Sequence, residues 1–487
     1  MPPTTPAFMV QGAGSNVGKS VLVAGLCRYF ANQGLQVAPF KPQNMSNNAA
    51  VTVDEGEIGR AQALQARAAG CEPHTDMNPI LLKPESETGS QIIVHGKRVT
   101  TLKAREYSKF KKLLLKPVKE SFLRLKSSAD LVIVEGAGSP AEINLRKNDI
   151  ANMGFARSVN CPVILVGDID RGGVIAQIVG TKKILHPKDA ALIKGFIINK
   201  FRGDKTLFDE GVNIIEDKTR WKSLGIMPYF KNAINFPAED ILDLQDSKKS
   251  GSLKIACLVL SRIANFDDLD PLNAENDINL VLIKEGQVLP GDCDLVIIPG
   301  TKSTIADLEF LKRQGWHTDL ESHLRRGGKI LGICGGYQIL GNIISDPDQI
   351  ESSIQNVSAL GLLDVETTMT PSKTLTKSKG VHLGTQITFE GYEIHMGQTN
   401  GADCERPFSK INGQFEGATS KNGLVMGSYI HGMFSTDKFR HEFMRQVTGT
   451  NLSGDLHHSS LVDDTLNELA DQLEYSLDTN ALFKFAK

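Results

Sequence analysis

At 487 residues the chain is longer than one hydrophobic core usually organises, and two large domains fit best. Its 54 basic against 56 acidic residues leave a net charge of -2, which gives no electrostatic reason to expect nucleic acid or an anionic membrane as partner, so a small-molecule substrate is expected. The seven cysteines are scattered, with no C-x-x-C pair and no Cys/His cluster at zinc spacing, so neither a disulfide framework nor a structural metal is indicated and a reducing cytoplasm is the expected compartment.

Met1 leads through a Pro/Thr segment, without the basic flank and cleavage site of a signal peptide, into the apolar strand Phe8-Met9-Val10. No apolar run is long enough to span a bilayer, so a soluble protein is expected. From Ala7 to about Leu185, apolar runs alternate with amphipathic stretches, the pattern of βαβ units and a mainly parallel sheet. The segment Gly12-Ala13-Gly14-Ser15-Asn16-Val17-Gly18-Lys19-Ser20 lies between the first strand and a helix, where backbone N–H groups can cradle phosphates. ATP is the expected ligand of Gly14, Ser15, Asn16, Val17, Gly18, Lys19 and Ser20, with Lys19 on the β/γ phosphates and the Ser20 hydroxyl on Mg²⁺, a hard cation that prefers oxygen. In the common G-x-x-x-x-G-K-S spacing the first glycine would fall on Ala13, so the loop is one residue longer than usual.

The strand Gln36–Phe40 leads into the polar run Lys41–Asn48, which by itself reads as a loop rich in turn-forming Asn. Asp54 and Glu57 are weaker metal candidates in a polar stretch. The runs Leu131–Val134 and Pro162–Val166 are continuous and apolar, as strands buried on both faces should be. Glu135 follows the first of them at the expected carboxyl edge of the sheet, which makes it the second Mg²⁺ ligand candidate. Gly195–Ile198 is another strand, and Asn199-Lys200 follow it.

After Gly225–Pro228 the composition turns polar, and Asp246–Ser252 reads as a linker with its boundary near Gly251. The expected division is therefore residues 1–250 for a P-loop domain, a parallel sheet with flanking helices, and 251–487 for a second α/β domain. Strands at Lys254–Leu260, Asp294–Ile298 and Lys329–Ile333 open that second series. The last runs into Gly332-Ile333-Cys334-Gly335-Gly336, a nucleophile elbow between strand and helix. A sulfur at a helix N-terminus feels a positive potential that favours the thiolate. The other six cysteines lack this context and read as small apolar fillers. Thr367 to Lys379, rich in Thr, Lys and Ser, is expected as an exposed loop. A nucleophilic Cys needs a base, and His431 ends an apolar strand about a hundred residues downstream, with His395 as its rival. Helical spacing returns in Leu461–Leu477.

Several of these segments resemble known families. The long phosphate loop resembles that of dethiobiotin synthetase, and Asn199 resembles the adenine-contacting Asn that related P-loop synthetases carry at a strand end. The pairing of Cys334 with His431 resembles class I glutamine amidotransferases, which implies glutamine as nitrogen donor and Pro299–Thr304 as the oxyanion loop. Most enzymes of that class carry a Glu two residues after the His; here the position is Met433, an omission shared with amidotransferase domains of the cobalamin pathway.

Both domains in this order, together with Lys41–Asn48, Gly56–Ala63 and Thr75–Pro84, resemble the glutamine-hydrolysing cobyric acid synthases over nearly the whole chain. That resemblance implies amidation of the b, d, e and g carboxylates of adenosylcobyrinic acid a,c-diamide, with one ATP and one glutamine for each amide. It makes substrate or nucleotide contact the expected role of Lys41–Asn48. The sibling cobyrinic acid a,c-diamide synthase shares both domain types and is the enzyme alternative, while CTP synthase fits less well because of Met433. A P-loop regulatory ATPase is the alternative of another class, but its usual extra Lys early in the loop is absent from Gly12, Ala13 and Gly14.

Overall fold

A computed structural model describes residues 5–85, 89–238 and 251–486, which divide into two compact units. The first comprises residues 1–46, 52–236 and 462–487, and the second 47–51 and 237–461. A single cut near Gly251 therefore differs from this division at three stretches: the last 26 residues, the pentapeptide Asn47–Val51, and residues 237–250, which fall in the second unit. Of the expected linker, residues 246–250 lie outside the described residues.

The first unit is built on a six-stranded, wholly parallel sheet in the order Lys222–Pro228, Ile193–Phe201, Val163–Asp168, Ala7–Gly12, Leu131–Glu135, Val37–Phe40. Side chains alternate between the two faces. Met9, Val132, Val134, Val163 and Leu165 enter one core, whereas Phe8, Val10, Leu131, Ile133, Ile164 and Val166 enter the other. Burial on both faces is why these strands read as unbroken apolar runs. One face is covered in part by the helix Lys19–Asn32 through Leu22, Val23, Leu26 and Phe30.

The helices His458–Ser476 and Thr479–Ala486 complete that same core through Leu466, Leu469, Leu473 and Leu482. Their approach is close enough to demand Gly25, because a Cβ there would stand 2.4 Å from Leu473 Cδ1. The helix expected at Leu461–Leu477 is thus present, but its apolar face serves the first unit. A smaller four-stranded sheet, Gln43–Met45, Ile80–Pro84, Gly89–Val94 and Lys97–Lys103, also belongs to this unit.

The second unit carries a sheet in the order Ile278–Ile283, Leu253–Leu258, Leu295–Ile298, Lys329–Ile333, Val425–Ser428, Ala418–Thr419, parallel except at the last pair. A second sheet contains the long antiparallel pair Glu366–His382 and Thr388–Asn400, whose latter strand also pairs with Ile430–His431. Thr367–Lys379 is therefore strand and not loop. Thr367 and Met369 turn inward while Glu366 and Thr368 stay exposed, the period-two pattern of a strand with one wet face. Thr is β-branched and suits such a surface despite its polarity. Among the described residues no helix is long and apolar enough to cross a membrane.

Candidate active sites

In the first unit the phosphate loop is shaped by what cannot fit in it. Gly18 has φ 88°, and a Cβ there would lie 2.6 Å from Asn199 Nδ2. At Gly12 a Cβ would meet Gly14 O at 2.6 Å. Ala13, where the common motif places glycine, is pinned through its own backbone: its N–H donates to Val166 O at 2.8 Å and its carbonyl accepts from Ser139 Oγ at 3.1 Å. Ser15 and Asn16 form the exposed tip, and Val17 is buried beneath them. The buried Lys19 donates from Nζ to Gly138 O at 3.2 Å, across the mouth of the loop.

Glu135 is the last residue of its strand and is 1% exposed, so it is not a solvated loop acid. Its Oε1 accepts from Ser20 Oγ at 2.8 Å and from Lys41 Nζ at 2.8 Å, and its Oε2 accepts from Gln65 Nε2 at 2.6 Å. The two candidate metal ligands are thus in direct contact and present hard oxygens to one point, which fits the donor preference of Mg²⁺. Asp54 and Glu57 have other tasks: Asp54 accepts from the N–H and hydroxyl of Thr75, and Glu57 pairs with Lys83 at 2.8 Å with both side chains buried. Asn199 donates to Val17 O at 2.8 Å and so braces the phosphate loop. Lys200 supports the same loop, donating to Asn16 O at 2.6 Å while paired with Asp168 at 3.0 Å.

The three runs beyond the P-loop interlock. Lys41 N–H donates to Met77 O at 2.8 Å, Asn78 Nδ2 donates back to Lys41 O at 3.1 Å, and Gly59 N–H donates to Asn78 Oδ1 at 3.1 Å. Gly56 is required at the crossing, since a Cβ there would come within 2.2 Å of Thr75 Cγ2. This lattice fixes the backbone that delivers Lys41 to Glu135.

In the second unit Cys334 sits between the strand Lys329–Ile333 and the short helix Gly335–Leu340 with φ 54° and ψ -111°. An L-residue in that region is strained and is held by its surroundings. A Cβ at Gly332 would strike Gly336 O at 2.6 Å, and one at Gly336 would strike Ile298 O at 2.0 Å, so the elbow closes only with glycine at both. Cys334 N–H donates to Ser428 O at 2.8 Å, and the thiol lies 3.6 Å from Ile394 O. For the other six cysteines burial pushes the thiol up, to about 11 in Cys71 and Cys293 and about 12 in Cys161, which suits filler and not nucleophile.

His431 is fully buried, and its missing partner is found elsewhere in the chain. Its Nδ1 lies 2.7 Å from Asp268 Oδ2, while Asp268 Oδ1 accepts from Gly432 N–H at 2.5 Å. Burial disfavours the imidazolium, but the Asp268 carboxylate and Cys334 outweigh it and raise His431 to about 10. Tyr392 stacks on the imidazole at 5.3 Å and donates its hydroxyl to Asp267 at 3.0 Å. Met433 points into the hydrophobic core and is 0% exposed, so the position that holds Glu in most class I enzymes is packing here. Sequence reasoning missed Asp268. Its signal was the acidic pair Asp267-Asp268 shortly after the strand Leu253–Leu258, at the carboxyl edge of the sheet that also presents Cys334.

The expected oxyanion loop lies beside these groups. A Cβ on Gly300 would approach His431 Cε1 to 2.7 Å, and one on Gly335 would approach Thr301 Cγ2 to 2.6 Å. His395, the rival base, donates from Nδ1 to Gly397 O of its own strand at 3.0 Å, lies 3.4 Å from Glu393 and stacks on Tyr429 at 3.8 Å. These contacts engage both of its ring nitrogens and one ring face.

Fold and sites together define a two-part synthetase, a nucleotide-binding P-loop unit and a glutamine amidotransferase unit in one chain. Residues 8–243 match the family of CobQ/CobB/MinD/ParA nucleotide binding domains, and residues 254–439 match the CobB/CobQ-like glutamine amidotransferase domain. The chain is 59% identical over 481 residues to the cobyric acid synthase of Bradyrhizobium diazoefficiens, covering 99% of each protein. It is 59% identical over 481 residues to that of Rhodobacter capsulatus, covering 99% of this chain and 100% of the relative, and 58% identical over 482 residues to that of Cereibacter sphaeroides, with the same coverage. The chain belongs to the cobyric acid synthase family.

Proposed function

We propose that the protein converts adenosylcobyrinic acid a,c-diamide to adenosylcobyric acid by amidating its b, d, e and g carboxylates in the cytoplasm, using one ATP and one glutamine for each amide. One observation supports this reading above others: a buried Cys334–His431–Asp268 constellation and a P-loop whose Ser20 meets Glu135 occur together in a chain of this family.

At the second site Cys334 attacks the carboxamide carbon of glutamine, and backbone N–H groups of the Gly300–Thr301 loop stabilise the oxyanion of the tetrahedral intermediate. His431, kept protonated by Asp268, gives its proton to the leaving nitrogen, which departs as ammonia and leaves a glutamyl thioester. Water, deprotonated by His431, then cleaves the thioester to glutamate and regenerates Cys334. At the first site a corrinoid carboxylate oxygen attacks the γ-phosphorus of ATP, giving an acyl phosphate and ADP. Ammonia displaces phosphate from that carbon and leaves the amide. Lys19 and the amides of Gly14–Ser20 carry the phosphate charge, and Asn199 braces the loop and borders the space for the base. Ser20 and Glu135 would hold Mg²⁺, which supplies charge neutralisation on the phosphates.

The test is direct: incubation with glutamine, ATP, Mg²⁺ and adenosylcobyrinic acid a,c-diamide should give four successive replacements of OH by NH₂ in the corrinoid mass spectrum. Amidation of cobyrinic acid itself, with none of the a,c-diamide, would transfer the assignment to the sibling reaction.

A further inference from the structure

The short segment that orients His431 also holds a piece of chain from far away in sequence. Residues Asn47–Val51 pack within the second unit, although Ser46 and Thr52 on either side belong to the first. Asn48 and Ala49 are fully buried. Asn48 Nδ2 donates to Ala238 O at 2.9 Å, and Ala49 N–H donates to Asn265 Oδ1 at 3.1 Å. Because a backbone N–H can only donate, this bond fixes which end of the Asn265 amide is oxygen.

The nitrogen end of that amide, Asn265 Nδ2, stands 3.5 Å from His431 Nε2, the ring nitrogen left for proton transfer once Nδ1 is engaged by Asp268. Asn265 is itself buried and held at φ 53°, a left-handed conformation that Asn tolerates better than most residues. The residues just before it anchor the oxyanion loop, with Ala264 N–H donating to Gly300 O at 2.9 Å and Lys302 N–H donating to Arg262 O at 2.9 Å. One side chain therefore touches the strap Asn47–Val51 with its oxygen and the proton-handling face of the histidine with its nitrogen.

The other end of the strap is tied just as firmly. Ser46 N–H donates to Leu82 O at 3.0 Å and Thr52 N–H to Gly56 O at 2.9 Å, within the first unit. A few residues upstream, Lys41 shares Glu135 Oε1 with Ser20, where nucleotide and metal are proposed to bind. Lys41 and Asn47 lie on one continuous stretch of chain with five residues between them, so the segment that carries Lys41 runs directly into the strap.

We infer that Asn265 is a positioning residue that couples glutamine hydrolysis to the state of the carboxylate-activating site, through the strap Asn47–Val51. This rests on the roles proposed above for Cys334, His431 and the P-loop. A displacement of about 1 Å at a catalytic group is enough to change a rate about a hundredfold, so a small movement of the strap suffices.

The experiment uses the full chain and measures glutamate release with glutamine alone and again with ATP, Mg²⁺ and adenosylcobyrinic acid a,c-diamide. Amidation driven by ammonium chloride is measured alongside. In the wild type the added substrates should accelerate glutamate release about tenfold or more. Asn265→Ala should lose that acceleration through kcat, with KM for glutamine within about twofold, while ammonium-driven amidation persists and shows that the chain is folded. Ala49→Pro, which deletes the N–H donor but leaves Asn265 and His431 unchanged, should likewise lose the acceleration. A wild type indifferent to ATP and corrinoid, or an Asn265→Ala variant that keeps the wild-type acceleration, overturns the inference. Loss of ammonium-driven amidation with a lowered melting temperature in both variants overturns it too, by making the contact structural. Continued glutamate release by Cys334→Ser would instead defeat the underlying site assignment.

Discussion

Asp268→Asn isolates the electrostatic part of the proposed glutaminase site, because the replacement keeps the shape of the side chain and can still accept from Gly432 N–H. What it removes is the negative charge 2.7 Å from His431 Nδ1. For unit charges about 4 Å apart at an effective dielectric constant near 20, that charge is worth about 4 kcal/mol to the imidazolium, which is roughly three pKa units. The protonation of His431 should then fall from about 10 to near 7 or below, since burial no longer meets an opposing carboxylate. Two consequences follow for glutamate release. The rate constant should drop by roughly a hundred- to a thousandfold, a transition-state cost of about 2.7 to 4 kcal/mol, because the imidazole loses the charge that fixes its tautomer and holds its proton. The loss should also deepen between pH 6 and pH 9, as the variant histidine deprotonates in a range where the wild-type histidine stays charged. Stability obeys the same sign. A histidine raised to about 10 in the folded state, against 6.5 unfolded, contributes stability that is complete below about pH 6.5 and is lost as pH rises through about 10. The wild type should therefore lose more stability than the variant between those limits, measured by denaturant melts at fixed pH. Glutamate release by Asp268→Asn within about threefold of wild type, with an unchanged pH profile, would refute the reasoning.

Cys334→Ser should abolish glutamine-dependent synthesis and leave ammonium-dependent synthesis in place, as followed by corrinoid mass with each nitrogen source; equal loss with both would argue against separate sites. Lys19→Ala should abolish synthesis with either source, since phosphoryl transfer loses the cation that reaches across the loop mouth, and ammonium-dependent product from this variant would exclude the P-loop role. Met433→Ala should leave glutamate release within about tenfold of wild type, at most about 1.4 kcal/mol of transition-state energy. Its cost should appear in stability, roughly 2 to 5 kcal/mol for emptying a buried Met site, read from denaturant melts.

The parallel strands of both units were legible because residues buried on two faces leave nothing to alternate, and the runs at Leu131–Val134 and Lys329–Ile333 announce themselves. The P-loop and the Cys334 elbow were legible for a related reason. Gly12 and Gly18 in the first, and Gly332, Gly335 and Gly336 in the second, are dictated by local clashes of under 3 Å, which leave a fixed spacing in the sequence. Thr367–Lys379 was misread because polar composition was weighed above the alternation of buried Thr367 and Met369 with exposed neighbours. The destination of Leu461–Leu477 could not be read at all, since an amphipathic helix specifies an apolar face without specifying whose core it joins. Its partner, Gly25, differs from any other helical glycine only once Leu473 is seen above it.

Asp268 shows why an absent motif is weaker evidence than a present one. What an amidotransferase histidine requires is a carboxylate at Nδ1, which fixes the tautomer and leaves Nε2 for proton transfer. That demand is on a point in space, and two elements can reach it here. The residues after His431 could supply it from position 433, but Met433 is committed to the core. The segment Phe266–Leu269 follows the neighbouring part of the same sheet edge and supplies Asp268 instead, together with Asp267 to hold Tyr392 on the ring. Because Asn265 directly precedes that segment and Arg262 and Ala264 are bonded to the Gly300–Lys302 loop, histidine, loop and strap all contact one short stretch of backbone, residues 262–268.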